Sequence, residues 1–329
     1  MLILNANDVQ RALPMSDAIA AMREAFTALT SRQAIVPPRS HFEIAEHHGV
    51  TLVMPAFVGG PAECQALAVK TVSLYDENQS RGLARIQAAV TLFEPNTGRP
   101  VALLDGGSLT AIRTAAAPGL ATDLLARPES RRVAVFGAGV QSRQQILAMC
   151  SVRPIERVRV FAPTRAKVEA LVAAMRLELP DIQWETAENP GKAVEEADII
   201  CCASTSRRPV FSDADIAPGV HVNAIGSFQP TVVEVPAETV CRARVFVDSV
   251  EAAWEEAGDL IQPLLSARID REHLAGELGA LVQGQVAGRE DVQQITLFKS
   301  VGIAAQDAVA ARVAVANARE QGLGQTVDW

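Results

Sequence analysis

Residues 131–145, RRVAVFGAGVQSRQQ, decide the reading of this chain. Arg131 and Arg132 lead into Val133, Ala134, Val135 and Phe136, an apolar run short enough to be a buried strand. Gly137-Ala138-Gly139 breaks the run, and a helical pattern opens at about Val140. Strand, glycine turn and helix in that order are what a dinucleotide-binding turn requires. Gly137 allows the tight turn, and Gly139 leaves no side chain between the backbone and a pyrophosphate. The free N–H groups of the new helix, Val140 and Gln141 among the first residues, then face that anion. Ser142 stands at the third small position, so the fingerprint is imperfect. A tight strand–helix turn without a ligand would look the same over these few residues, and the alternation downstream is what favours nucleotide binding.

That alternation runs VRVFAP, a helix over 164–179, a short strand near Trp184, ADIICCAS, HVNAIG and RVFVD. It predicts an α/β domain with a Rossmann-type, doubly wound parallel sheet covered on both faces. Upstream the pattern differs. Residues 34–106 hold the β-rich runs SHFEI, VTLVMPAFV, ALAVKTVSLY, IQAAVTLFEP and PVALLDG, with Asn96-Thr97-Gly98 as the turn of a hairpin. A helix with the stripe Ile19, Met22, Phe26 and Leu29 is expected before them, with Ser16 as a candidate cap. Residues 291–302 read as the return to this first domain, and an alanine-rich helix over 304–320 follows. The expected organisation is a β-rich domain of residues 1–115 plus 303–329, interrupted by a Rossmann domain of residues 116–302.

The 329 residues are 49% hydrophobic and 21% charged, which supports a sizeable core. A net charge of -8 argues against general binding to nucleic acid or an anionic membrane. Five cysteines without paired metal spacing suit a reducing compartment, and no apolar run is long enough to span a bilayer. The expectation is a cytoplasmic protein. The histidines His41, His47, His48, His221 and His273 form no metal set, and no metal is expected.

Several separated stretches together resemble the ornithine cyclodeaminase/mu-crystallin family. They are VPPRS at 36–40, ALAVKTVS at 66–73, LTAIRTAAA at 109–117, VAVFGAGVQ at 133–141, NAIGSFQP at 223–230 and ITLFKSVGIAAQD at 295–307. The resemblance spans nearly the whole chain in the family's order. It implies a homodimer formed through the β-rich domain, a nicotinamide cofactor in the Rossmann domain, and a small substrate between the domains. It also implies cofactor contacts from Arg85, Thr114, Ser204, Asn223, Ile225, Gly226, Ser300 and Gly302, beside the glycine turn. The family holds cyclodeaminases, amino-acid dehydrogenases, ketimine reductases and binding proteins, so the residues must choose among them.

Lys70 follows Leu67, Ala68 and Val69 in a mostly buried strand, where a lysine needs a carboxylate or a route to water. An edge-strand lysine facing solvent is the alternative. Arg39 follows the rigid Pro37-Pro38, and Arg113 sits on a helix otherwise lined with Ala and Thr. The resemblance sets Lys70 facing the substrate, either holding its carboxylate or passing a proton, and sets Arg39 and Arg113 near the substrate carboxylate and the cofactor, where planar arginine donors suit a carboxylate. Asp307 is the remaining acid in a matching stretch, either catalytic or a carboxylate at a helix start.

The second Rossmann strand ends Phe161-Ala162-Pro163-Thr164-Arg165, without the acid that binds a ribose 2′-hydroxyl. Thr164 and Arg165 suit a 2′-phosphate, so NADPH is expected to bind better than NADH. Cyclodeaminases of the family carry an aspartate two residues before the proline matching Pro230, where this chain has Phe228. A pocket lacking that acid suits a cyclic imino acid, which needs only hydride delivery. The expected activity is therefore NADPH-dependent reduction of Δ1-pyrroline-2-carboxylate, with Δ1-piperideine-2-carboxylate as a further substrate, to L-proline or L-pipecolate. Cyclodeamination or amino-acid dehydrogenation is the alternative chemistry, and a mu-crystallin-like binding protein without turnover is the alternative of another class.

Overall fold

A computed structural model describes residues 1–329, the side chain of Gln79 excepted. The chain divides into two units, Met1–Arg113 with Ile303–Trp329, and Thr114–Gly302. The division falls inside one helix, Gly106–Leu125.

The first unit is built on an eight-stranded sheet. Its long strands Gly49–Val58, Ala66–Tyr75, Ile86–Phe93 and Pro100–Asp105 pair antiparallel in sequence order. Leu2–Leu4 adds parallel to the last of them, and Gln325–Thr326 closes that edge. Ala34–Ile35 and Ser40–Ile44 pair with Gly49–Val58 at the other side. The long strands alternate buried and accessible residues, the signature of a sheet with one covered face. Helix Ala304–Gln321 covers that face over Gly49–Val58 and Ala66–Tyr75, and helix Met15–Thr30 packs on it in turn. Alanine dominates Ala304–Gln321, so the helix lies close to the sheet; Ala305, Ala308 and Ala311 are fully buried.

The second unit is a parallel sheet in the order Gln183–Thr186, Arg157–Phe161, Arg132–Phe136, Ile199–Cys202, His221–Ala224, Thr296–Lys299, Arg244–Val247, Leu274–Glu277. Every position of Ile199–Cys202, His221–Ala224 and Thr296–Lys299 is buried, so both faces are covered. Strand order reverses between Arg132–Phe136 and Ile199–Cys202, the arrangement of a doubly wound sheet. The stretch 291–302, expected to lead back to the first unit, instead supplies the strand Thr296–Lys299. It pairs with His221–Ala224 on one side and Arg244–Val247 on the other. A central parallel strand reads as a continuous apolar run with no alternation, and TLF gives too short a run to separate it from a connecting segment.

Candidate active site

In Ala66–Tyr75, Ala66, Ala68, Lys70 and Val72 all point to the covered face, because side chains on one face recur every second residue. Lys70 is thus carried into the core, 2% exposed, between Met54 and Val90 of the neighbouring strands. Its charge meets the first turn of Ala304–Gln321. Nζ of Lys70 donates to Oδ2 of Asp307 at 2.6 Å. Arg113 reaches the same carboxylate from its own helix, donating Nε–H to Oδ1 at 2.8 Å. A second Arg113 bond, from Nη1, goes to Oε1 of Gln306 at 2.7 Å. Gln306 also accepts from the Ile303 N–H at the helix start, while its Nε2 is buried with no hydrogen-bond partner among the described residues.

Two buried cations therefore share one carboxylate. Burial pushes the Lys70 ammonium down to a pKa of about 8; Arg113 and, more weakly, Arg39 push the same way, and Asp307 opposes them. Burial alone would raise the Asp307 carboxyl, but Arg113 and Lys70 outweigh it and hold it below the usual carboxylate range. The first turn of a helix also favours a negative group. Lys70, Arg113 and Asp307 are thus in direct contact, and Arg39 is close enough for its charge to act on Lys70. Gln306, which orients the Arg113 fork, gave no signal in the sequence beyond its place beside Asp307.

The second unit presents a different surface. Phe136, Cys202, Ala224 and Lys299 lie in register across four parallel strands, so the residues after them share the carboxyl edge of the sheet. That edge holds Gly137, Gly139, Val140, Gln141, Ser204, Ile225, Gly226, Ser300 and Gly302, with Thr164 and Arg165 after the adjacent strand. Gly137 has φ +116°, and a Cβ there would lie 2.4 Å from the Ala203 carbonyl oxygen. A Cβ on Gly139 would meet nothing within 4 Å, and Gly139 caps Val140–Val152 without a side-chain bond. The turn is tight where it packs and open at the helix start, which fits a dinucleotide pyrophosphate. Thr164 caps the helix Arg165–Glu178 without a side-chain bond, and Arg165 is well exposed and donates to Glu169 at 2.8 Å.

Several of the remaining residues are held by acids the sequence did not point to. Glu234 accepts from the Ser204 N–H and hydroxyl at 2.8 and 2.6 Å and from the Gly226 N–H at 2.6 Å. Asp248, closing the apolar run RVFV, accepts from the Ser300 hydroxyl at 2.7 Å and the Gly302 N–H at 2.7 Å. The Asn223 side chain is turned into the core, where it donates to Thr122 and its Oδ1 bonds His221. Burial drives His221 down to about 3, so this polar cluster is neutral. Thr114 is half-buried in Gly106–Leu125, and Arg85 belongs to the first unit, in an exposed ion pair with Asp76. Phe228 lies in the loop after His221–Ala224, 41% exposed.

The model of the ornithine cyclodeaminase/mu-crystallin family matches residues 1–322. The chain belongs to that family. A Delta(1)-pyrroline-2-carboxylate reductase of Bacillus cereus is 35% identical over the full length of both chains. The structure of Thermococcus litoralis Delta(1)-pyrroline-2-carboxylate reductase in complex with NADH and L-proline is 39% identical, with a TM-score of 0.94 over 99% of this chain and 100% of that one. An archaeal alanine dehydrogenase dimer with bound NAD is 28% identical, with a TM-score of 0.91 over 100% of this chain and 99% of that one. With reductases and dehydrogenases matching it from end to end, this family member is an oxidoreductase.

Proposed function

We propose that the protein reduces Δ1-pyrroline-2-carboxylate to L-proline with NADPH, accepting Δ1-piperideine-2-carboxylate, to give L-pipecolate, and using NADH less well. The observation that carries this reading is the pairing of Lys70 and Arg113 with the single carboxylate of Asp307 in a buried site. A buried cluster with one cation in excess is best completed by an anion, and a substrate carboxylate is one. The relatives named for pyrroline-2-carboxylate reduction, one of them holding NADH and L-proline, support the substrate class.

The glycine turn and the first N–H groups of Val140–Val152 would hold the cofactor pyrophosphate, and Thr164 with Arg165 would meet a ribose 2′-phosphate. No acid stands where a 2′-hydroxyl would call for one, which supports NADPH. Bound there, the dinucleotide supplies a hydride to the ring carbon that carries the carboxylate. Arg113, oriented by Gln306 and Asp307, clamps that carboxylate, with Arg39 adding positive charge. Lys70, with its pKa near 8, is protonated at neutral pH and supplies the proton to the ring nitrogen as the C=N electron pair moves onto it. Asp307 holds Lys70 in the charged form against the cost of burial. The protein's contribution is orientation and charge.

We extend the proposal to assembly and location: a homodimer through the β-rich unit, as the dimer in the archaeal neighbour supports, working in the cytoplasm. Among the described residues no helix is long and apolar enough to cross a membrane, and all five cysteines are free. The test is consumption of NADPH with each of two candidates, the five-membered imine and L-ornithine. The proposal expects turnover of the imine and none of L-ornithine, since Phe228 offers no acid; turnover of L-ornithine alone overturns it.

A further inference from the structure

The loop that follows His221–Ala224 is held by buried charge, and none of the groups that hold it figures in the chemistry above. Lys299 is fully buried at the end of Thr296–Lys299. Its Nζ donates to the Ser227 carbonyl at 2.6 Å and to the Ser227 hydroxyl at 2.8 Å, and pairs with Oδ2 of Asp259 at 2.9 Å. The Ser227 hydroxyl donates to the same Asp259 oxygen at 2.5 Å. The other oxygen, Oδ1, accepts the N–H groups of Glu234 at 2.6 Å and Val235 at 2.9 Å. One ion pair thus grips the loop at Ser227 and again at residues 234–235.

Glu234 then ties this loop to its neighbour, through the bonds from Gly226 and Ser204 described above. The backbone between the two grips lies close against the helix Gly258–Leu265. A Cβ on Gly258 would sit 2.1 Å from the Val232 carbonyl oxygen and 2.7 Å from that of Gln229. Gln262 of the same helix donates to the Pro230 carbonyl at 2.8 Å. Residues 228–231 between the grips are exposed. A buried ion pair is costly to form and very costly to break by halves, so its use at a loop anchor needs a reason other than stability.

We propose that Asp259 and Lys299 are positioning residues that fix residues 226–235 at the carboxyl edge of the sheet, so that Ser204, Ile225 and Gly226 stand ready for the dinucleotide. The proposal rests on the dinucleotide reading of that edge. Asparagine keeps one acceptor oxygen for the Glu234 and Val235 N–H groups but loses the charged Oδ2 that takes the Lys299 ammonium and the Ser227 hydroxyl, and Lys299 orients both Asp259 and Ser227. Their work is done through the loop, with no contact of their own to substrate or cofactor required.

The experiment uses the full chain as wild type, Asp259→Asn, Ser227→Ala and the double variant Lys299→Met with Asp259→Asn. Hydrogen exchange of peptides covering 225–236, the dissociation constants of NADPH and NADH, and Tm are measured on each. In Asp259→Asn, exchange in 225–236 is expected to quicken about tenfold and both dissociation constants to rise about tenfold, the scale of one lost charged hydrogen bond. Exchange in Arg132–Phe136 stays as in wild type. Ser227→Ala, which removes no charge, gives a smaller change in the same sense and serves if Asp259→Asn fails to fold. The double variant restores charge balance, so it recovers Tm but neither loop protection nor affinity. Unchanged exchange in 225–236, or recovery of protection and affinity together with Tm in the double variant, overturns the positioning role. Wild-type protein that binds neither dinucleotide overturns the reading of the edge instead, and the exchange data on the loop still decide the anchor.

Discussion

Lys70→Met separates what this lysine does for the reaction from what it does to the fold. Methionine keeps most of the apolar stem and deletes the charge. The folded-state pKa of about 8 lies below the ordinary 10.5, so below pH 8 both folded and unfolded chains carry the proton and the native state bears the full penalty of burying it. At 1.36 kcal/mol per pH unit that penalty is about 3 kcal/mol. Between pH 8 and 10.5 the native lysine sheds its proton while the unfolded one keeps it, so wild-type stability rises relative to the variant. Lys70→Met is therefore expected to be more stable than wild type at pH 7, by up to about 3 kcal/mol, with the difference vanishing above pH 10.5. Activity should move the other way. Losing a charged hydrogen bond of about 1.5–3 kcal/mol lowers kcat/KM roughly 10- to 100-fold. In wild type kcat/KM falls as pH rises through about 8, and that limb disappears in the variant. Thermal unfolding at several pH values and kcat/KM profiles with the cyclic imine are the assays. A folded variant with wild-type kcat/KM would take Lys70 out of the reaction, and one less stable than wild type at pH 7 would show that its buried charge carries no net penalty.

The other predictions concern the remaining parts of the machinery. Arg113→Lys should fold yet raise KM and lower kcat, because a single ammonium lacks the planar fork whose Nε and Nη1 reach Asp307 and Gln306 while leaving a further donor for a substrate carboxylate; equal kinetics would remove Arg113 from the site. Gly139→Ala, in open space, should keep Tm while weakening dinucleotide binding. Gly137→Ala should lower stability by more than about 1 kcal/mol as well, since alanine resists positive φ and its Cβ meets the Ala203 carbonyl; melting curves and titrations compare the two. Arg165→Ala should raise the dissociation constant of NADPH several-fold and leave that of NADH unchanged, and an equal effect on both cofactors would count against 2′-phosphate recognition.

The parts of this protein legible in its sequence are those whose signal is local. RVAVF followed by GAG spells a strand and a turn that only small residues can make, and the observed strand Arg132–Phe136 and helix Val140–Val152 follow it closely. The apolar run ALAV before Lys70 marks a mostly buried strand, yet it does not tell a buried lysine from one at a sheet edge facing water; the pairing of both neighbouring strands with Ala66–Tyr75 decides it. The partner of Lys70, Asp307, lies 237 residues away, and no periodicity encodes which distant acid a buried lysine meets. The same limit hid Lys299, Asp259 and Glu234. Each reads as a single charge beside an apolar run, and only the packing of three segments makes them one network. Thr296–Lys299 is illegible as a sheet strand for a related reason: a central strand of four residues is too short to show a period.

Whether the buried cation pair takes the carboxylate of a cyclic imine for reduction is decided by one stoichiometric assay. Wild-type protein is mixed with NADPH and Δ1-pyrroline-2-carboxylate, and NADPH oxidation and L-proline formation are followed together, with Arg113→Ala in parallel. One L-proline is expected for each NADPH consumed, with kcat/KM lowered by a factor of about ten or more in Arg113→Ala. NADPH that binds without being oxidised, or turnover that Arg113→Ala leaves unchanged, would contradict that role for the pair.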